Sequence, residues 1–98
     1  MDVRFDLNGV GFVWDDEKAR LNTIRHDGIT FEQAAEVFFD PFFRLVDASR
    51  NDEARDAAIG YDSHGQLLYV VHLVFENEVI RLISARKATT TERNDHDS

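Results

Sequence analysis

The spacing of apolar residues changes once along the chain, from helical to strand-like, near Pro41. Phe12-Val13-Trp14 is a short apolar run followed by Asp15-Asp16-Glu17. Acidic side chains suit the positive end of a helix, so a helix is predicted with Asp15 as its cap. It should run through Lys18 to about His26 and stop at Asp27-Gly28, with Leu21 and Ile24 beginning its buried stripe. Thr30 and Gln33 have the spacing of a capping box. Phe31, Ala34, Ala35 and Phe38 follow at helical spacing, which predicts a second helix with a core-facing stripe. Asp40-Pro41 ends it, because the residue before a proline is pushed out of the α region.

After that point the pattern predicts strands over residues 42–46, 54–61, 66–75 and 79–85. Asp62-Ser63-His64-Gly65 and Glu76-Asn77-Glu78 carry turn chemistry between them. Residues 66–75 are almost continuously apolar and are expected to form a central strand covered on both faces. Thr89-Thr90-Thr91-Glu92-Arg93 can start a last helix, with one threonine as cap. The expected fold is α+β, with two N-terminal helices packed on an antiparallel sheet of about four strands and a short C-terminal helix. With 98 residues, the chain is expected to be a single domain. Residues 1–11 read as an N-terminal extension and residues 94–98 as a frayed tail.

Composition supports a packed core, since 43% of residues are hydrophobic and eight are Phe. The absence of cysteine excludes disulfides and thiolate metal sites. The four histidines are too scattered for a metal motif, and no metal or cofactor is expected. The chain has neither a bilayer-spanning apolar run nor a signal-like N-terminus, so the expected location is the cytoplasm, with no membrane partner. The net charge of −8 argues against a broad nucleic-acid surface. Charge is uneven, however: between residues 80 and 93 lie Arg81, Arg86, Lys87 and Arg93 against only Glu92.

Three ordered segments resemble the BrnT family of toxins. The first is Phe12-Val13-Trp14-Asp15-Asp16-Glu17-Lys18-Ala19, with Asn22 one turn later. The second runs from Arg25-His26-Asp27-Gly28 through Thr30-Phe31-Glu32-Gln33 to Val37-Phe38. The third is Arg81-Leu82-Ile83-Ser84-Ala85-Arg86-Lys87, followed by Glu92-Arg93; Glu53-Ala54-Arg55 leads into Ile59-Gly60 between the last two. The resemblance implies a fold like the RelE-type ribonuclease toxins and a metal-independent RNA cleavage that stops translation. It also implies a BrnA-like antitoxin as partner, with operon DNA reached only through that antitoxin, and a homodimer or a heterotetramer as possible assemblies. Three departures stand out: Asp27 separates His26 from Gly28, Ser49-Arg50-Asn51-Asp52 lacks the family's loop histidine, and the tail is acidic rather than basic.

Metal-free cleavage of RNA needs cations for the developing phosphorane charge and a group that moves protons. Arginine serves the first need because its fork binds phosphate oxygens in pairs. Arg86 and Arg55 match family-typical arginines and are the leading catalytic candidates; His26 is the acid–base candidate. Lys87, Arg81 and Arg93 are candidate RNA-binding residues. In an ideal strand Arg81 and Arg86 face opposite sides, so they share a site only if the strand ends or bulges between them. Each arginine could equally be a solvated strand-edge charge or an ion-pair partner of Glu53 or Glu78, and His26 a helix C-terminal residue serving the last carbonyls. His72, inside the long apolar run, reads as a packed structural histidine. Two functional readings remain: a ribonuclease toxin held by an antitoxin, or a non-catalytic member acting as an antitoxin-binding, regulatory interaction module. Convergence of Arg55, Arg86 and Lys87 on one concave surface would favour the enzyme.

Overall fold

The computed structural model describes residues 1–75 and 77–98. It opens with a hairpin of β1 (Asp2–Leu7) and β2 (Val10–Asp15). Asn8 and Gly9 between them both have positive φ, 50° and 82°, as a two-residue hairpin turn of the I′ kind requires. Residues 1–11, read from sequence as an N-terminal extension, thus form β1 and the start of β2.

Helix α1 (Asp16–Arg25) follows directly, and Asp15 caps it by accepting from the Lys18 backbone N–H. Helix α2 (Phe31–Glu36) starts on the Thr30–Gln33 capping box and tightens into a 3₁₀ turn, Val37–Phe39, before Pro41. Four strands come next: β3 (Arg44–Asp47), β4 (Asp56–Tyr61), β5 (Leu67–Val74) and β6 (Ile80–Lys87). Helix α3 (Thr90–Asp97) begins on a second capping box, Thr89 to Glu92. It carries the residues expected to fray, and His96 within it is buried.

The sheet corrects the expected one. It has six strands in the order β1-β2-β6-β5-β4-β3, and it is mixed, because β2 runs parallel to β6 through Phe12 opposite Ile80 and Val13 opposite Arg81. The physical reason is the Asn8-Gly9 turn: it folds residues 2–15 into two strands, and the apolar Phe12-Val13-Trp14 run then fills the place beside β6. Among the described residues the α-helices are three, only two of them N-terminal to the long run of strands, and the first follows a hairpin instead of opening the chain.

One face of the sheet carries the core. Phe12, Trp14, Ala58, Leu68, Val70, Leu82 and Ala85 meet Ile29, Phe31, Ala34, Ala35 and Val37. Alanines at Ala34, Ala35, Ala58 and Ala85, all fully buried, let the helix approach the strands closely, and Phe31 packs edge-on against Trp14 at 5.7 Å. Burying Phe31 contributes roughly 1.5–3 kcal/mol. Gly60 is required where the 3₁₀ turn crosses β4, since an added Cβ would lie 2.9 Å from a Val37 methyl and 3.0 Å from its carbonyl oxygen.

Helix α1 departs from its predicted stripe. Ile24 is 67% exposed, and the buried residue of the helix is Asn22. Beyond its two-residue pairing with β2, β6 would leave an unpaired backbone edge. Asn22 supplies the missing partner: its amide accepts from the Ala85 N–H (3.0 Å) and donates to the Ala85 carbonyl (2.9 Å) and the Ile29 carbonyl (3.0 Å).

Candidate functional site on the open face of the sheet

Strand alternation assigns the other face. Tyr69, Val71 and Leu73 of β5 lie opposite Arg86, Ser84 and Arg81 of β6, and all six are only partly buried. The central strand β5 is thus covered on one face and half-open on the other, not covered on both. The pairing slips between Val71 and His72: Val71 faces Ser84, but His72 faces Leu82. The extra residue, Ile83, is a bulge, and it resets the alternation so that Arg81 and Arg86 share the open face despite their odd spacing.

The register places Arg86 beside Tyr69, and its guanidinium carbon lies 4.1 Å from the Tyr69 ring centroid. Glu92, from the first turn of α3, takes both arms of its fork at 2.8 and 2.9 Å. Those bonds raise the Arg86 pKa above its usual value against the opposing effect of burial. They also hold the Glu92 carboxyl below the usual carboxylate range, with burial opposing and the Thr89 backbone N–H helping. Arg86 is therefore a clasped, partly buried side chain rather than a free strand-end charge.

Arg55 precedes β4 and reaches the same face. With Ser49, Arg50, Tyr69, Val71 and Ser84 it lines a concavity of about 270 Å³. One of its terminal nitrogens bonds Glu53 at 2.5 Å, while its Nε is buried without a hydrogen-bond partner among the described residues. Arg81 is paired to Asp2 of β1 at 2.6 Å. Arg93 donates to the Tyr61 hydroxyl at 3.3 Å, where α3 lies against β4. Lys87 sits opposite Leu68, on the core-face alternation, and is exposed at the strand end.

His26 stands apart from the arginines. It is the C-cap of α1, with its backbone N–H on the Asn22 carbonyl at 2.9 Å. It borders a smaller concavity with Lys18, Arg25, Ile83 and Ser84. Ser84 lines both concavities and is the only described link between His26 and the Arg55 cleft. The structure thus gathers Arg55, Arg81 and Arg86 on one face, sets His26 across Ser84 from them, and leaves Lys87 off that face.

Sequence reasoning missed Tyr69, Ser84 and Glu92. Alternation within residues 66–75 could have singled out Tyr69, and the Thr89–Glu92 capping spacing fixes where Glu92 stands. Elsewhere, Glu36, Asp62 and His64 bring ligand-type atoms within 4.8 Å of one another. Their carboxylates already serve the turn: Asp62 accepts from the His64 and Gln66 backbone N–H groups, and Glu36 from the Ser63 N–H and hydroxyl. No helix among the described residues is long and apolar enough to cross a membrane.

A small α+β domain with a helix-covered core face and an arginine-bearing open face is thus defined. Its sequence matches, over residues 14–92, the model of a family described as the ribonuclease toxin BrnT of type II toxin–antitoxin systems; the chain belongs to that family. Membership implies an antitoxin partner. Among solved structures it is similar to the 1.1 Å crystal structure of the Brucella abortus ribonuclease toxin BrnT, with TM-score 0.60 and 22% identity, covering 79% of this chain and 94% of that one. No curated protein matches it.

Proposed function

We propose that this chain is a metal-independent endoribonuclease toxin of the cytoplasm, neutralised by a BrnA-like antitoxin, and that RNA is cut on the open face. The observation that carries the reading is the Ile83 bulge, which turns Arg81 and Arg86 to one side, where Arg55 also lies. In the proposed reaction the 2′-oxygen of a ribose attacks the adjacent phosphorus as a base removes its proton. The P–O5′ bond breaks, a proton is delivered to the 5′-oxygen, and a 2′,3′-cyclic phosphate and a 5′-hydroxyl result. Arg86 and Arg55 stabilise the negative charge gathered on the phosphoryl oxygens. His26 moves the proton, reached by RNA that passes Ser84. Arg81, Lys87 and Arg93, the RNA-binding candidates of the sequence, stay outside this contact: Arg81 is held by Asp2, Arg93 by Tyr61, and Lys87 stands off the open face.

The test is RNA cleavage by purified wild type, Arg86→Ala and Arg86→Lys in EDTA, with circular dichroism as folding control. Arg86→Ala should lose on the order of 10²–10³-fold in rate. Arg86→Lys should not restore it, because a point charge cannot reproduce the fork. Unchanged cleavage by folded Arg86→Ala removes Arg86 from the mechanism, and loss of wild-type cleavage in EDTA removes the metal-free scheme. One observation favours the second reading, a non-catalytic antitoxin-binding module: Arg55, Arg81 and Arg86 each already hold a carboxylate. Antitoxin binding by a wild type that cuts no RNA would select it.

A further inference from the structure

The cleft beside Arg86 is built, not incidental. Residues 48–55 fold back on themselves: Ala48 N–H bonds the Arg55 carbonyl at 2.9 Å, and Arg50 and Glu53 exchange backbone bonds across Asn51 and Asp52, both with positive φ. The Ser49 hydroxyl is fixed by Asp47 at 2.6 Å and accepts from the Arg55 N–H at 3.2 Å. This turn holds Arg50 and Arg55 on one wall of the cleft, while Tyr69, Val71 and Ser84 of the rigid sheet form the other.

Its chemistry is two-sided. One wall offers guanidinium groups, and the Arg55 Nε is a buried donor still lacking an acceptor. Guanidinium groups bind anionic oxygens in pairs, so an anion entering the cleft meets donors on the wall that Arg50 and Arg55 line. The other wall offers an aromatic ring, an aliphatic side chain and a hydroxyl. An anion joined to a flat, partly apolar ring fits both walls, and a nucleotide is that combination. At about 270 Å³ the cleft suits one such unit of a single strand and not a duplex.

We propose that this cleft is a single-nucleotide subsite for single-stranded RNA, with a phosphate on Arg55 and Arg50 and the base against Tyr69 and Val71. This rests on the RNA-cleavage reading and adds to it how the strand is placed. Because the Tyr69 ring also carries Arg86, a base held there sets the neighbouring phosphodiester beside the proposed catalytic arginine. Tyr69 and Arg50 are positioning residues in this scheme.

The test uses the full chain and a fluorescent hexamer with 2′-O-methyl riboses, which lacks the attacking hydroxyl and cannot be cut. Base stacking on an aromatic side chain typically corresponds to about a 5- to 150-fold effect on affinity. Tyr69→Leu should therefore weaken hexamer binding at least about 5-fold. Arg50→Gln, which leaves Tyr69 and Arg86 in place, should weaken it too, and with cleavable RNA should raise KM more than it lowers kcat. Wild-type affinity in both variants, folded by circular dichroism and with wild-type cleavage intact, overturns the subsite and leaves the nuclease reading standing. Weakened binding in the variants of a wild type that binds but does not cut keeps the subsite and overturns the nuclease reading. A wild type that neither binds nor cuts overturns both.

Discussion

His72 shows how one position can be polar in sequence and apolar in use. Its ring lies in the core, edge-on to Phe38 at 4.8 Å, with Nδ1 3.1 Å from the Val70 carbonyl oxygen. Burial lowers its pKa below the usual histidine value, outweighing the Val70 bond and the charge of Asp56, which pull the other way. The unfolded chain therefore takes up a proton here more readily than the folded one. Stability from the neutral ring is complete above the ordinary histidine pKa of about 6.5 and is lost as pH falls through the lower folded value. The urea midpoint should drop between pH 7 and pH 5 in the wild type and drop less in His72→Phe, which keeps a ring against Phe38. Equal acid sensitivity in the two proteins would show that this window belongs to other groups. The depressed Asp40 carboxyl is not among them: burial opposes its charge, but the Phe42 and Tyr61 N–H groups and His96 hold it charged. Its contribution is present above pH values near 4 and lost only below them.

At the scale of elements, what was legible was what local chemistry decides alone. Thr30 and Gln33 specify a helix start by spacing, and Asp40-Pro41 specifies its end. The Asn8-Gly9 turn was equally local, yet the polar residues Asp2, Arg4 and Asp6 around it hid an alternation whose apolar partners are Val3, Phe5 and Leu7. The Ile83 bulge was not legible, because Leu82-Ile83-Ser84 can continue a regular strand and only pairing with β5 adds the extra residue. The site depends on that bulge, so its convergence could be posed from sequence but not decided. Helix α3 is eight polar-rich residues held by few contacts, and Glu92 serves two of them: it caps Thr89 at 2.8 Å and clasps Arg86. Glu92→Ala removes both. It should cost about 1–2 kcal/mol, as losing a cap with a charge-assisted partner does, and hydrogen exchange should rise first in residues 90–97. Unchanged exchange there would mean that His96 on Asp40, both side chains under 10% exposed, and Arg93 on Tyr61 hold the helix without Glu92.

The whole molecule divides its sheet: one face packs on α2, and the other carries Arg55, Arg81 and Arg86 with α3 against its β4 end. A protein of net charge −8 cannot gather RNA by a broad positive field, so the proposed contact must be short and geometric. That makes salt dependence a measure of how many phosphates are engaged. Binding to single strands weakens with salt at a slope of roughly −0.7 per phosphate contact on a log–log plot. Arg50, Arg55 and Arg86 as the contacting cations give a slope of roughly −2 for the uncut hexamer. Arg50→Gln should make it shallower by about 0.7, since one counterion fewer is released. By contrast, Arg81→Gln should change it little if Asp2, bonded at 2.6 Å, keeps that guanidinium from the strand. Titrating the labelled hexamer at several salt concentrations against these three proteins checks the count. A slope steeper than about −4 would mean that Lys87, Arg93 and Arg81 join a wider interface, and the short-contact reading of an acidic toxin would fail.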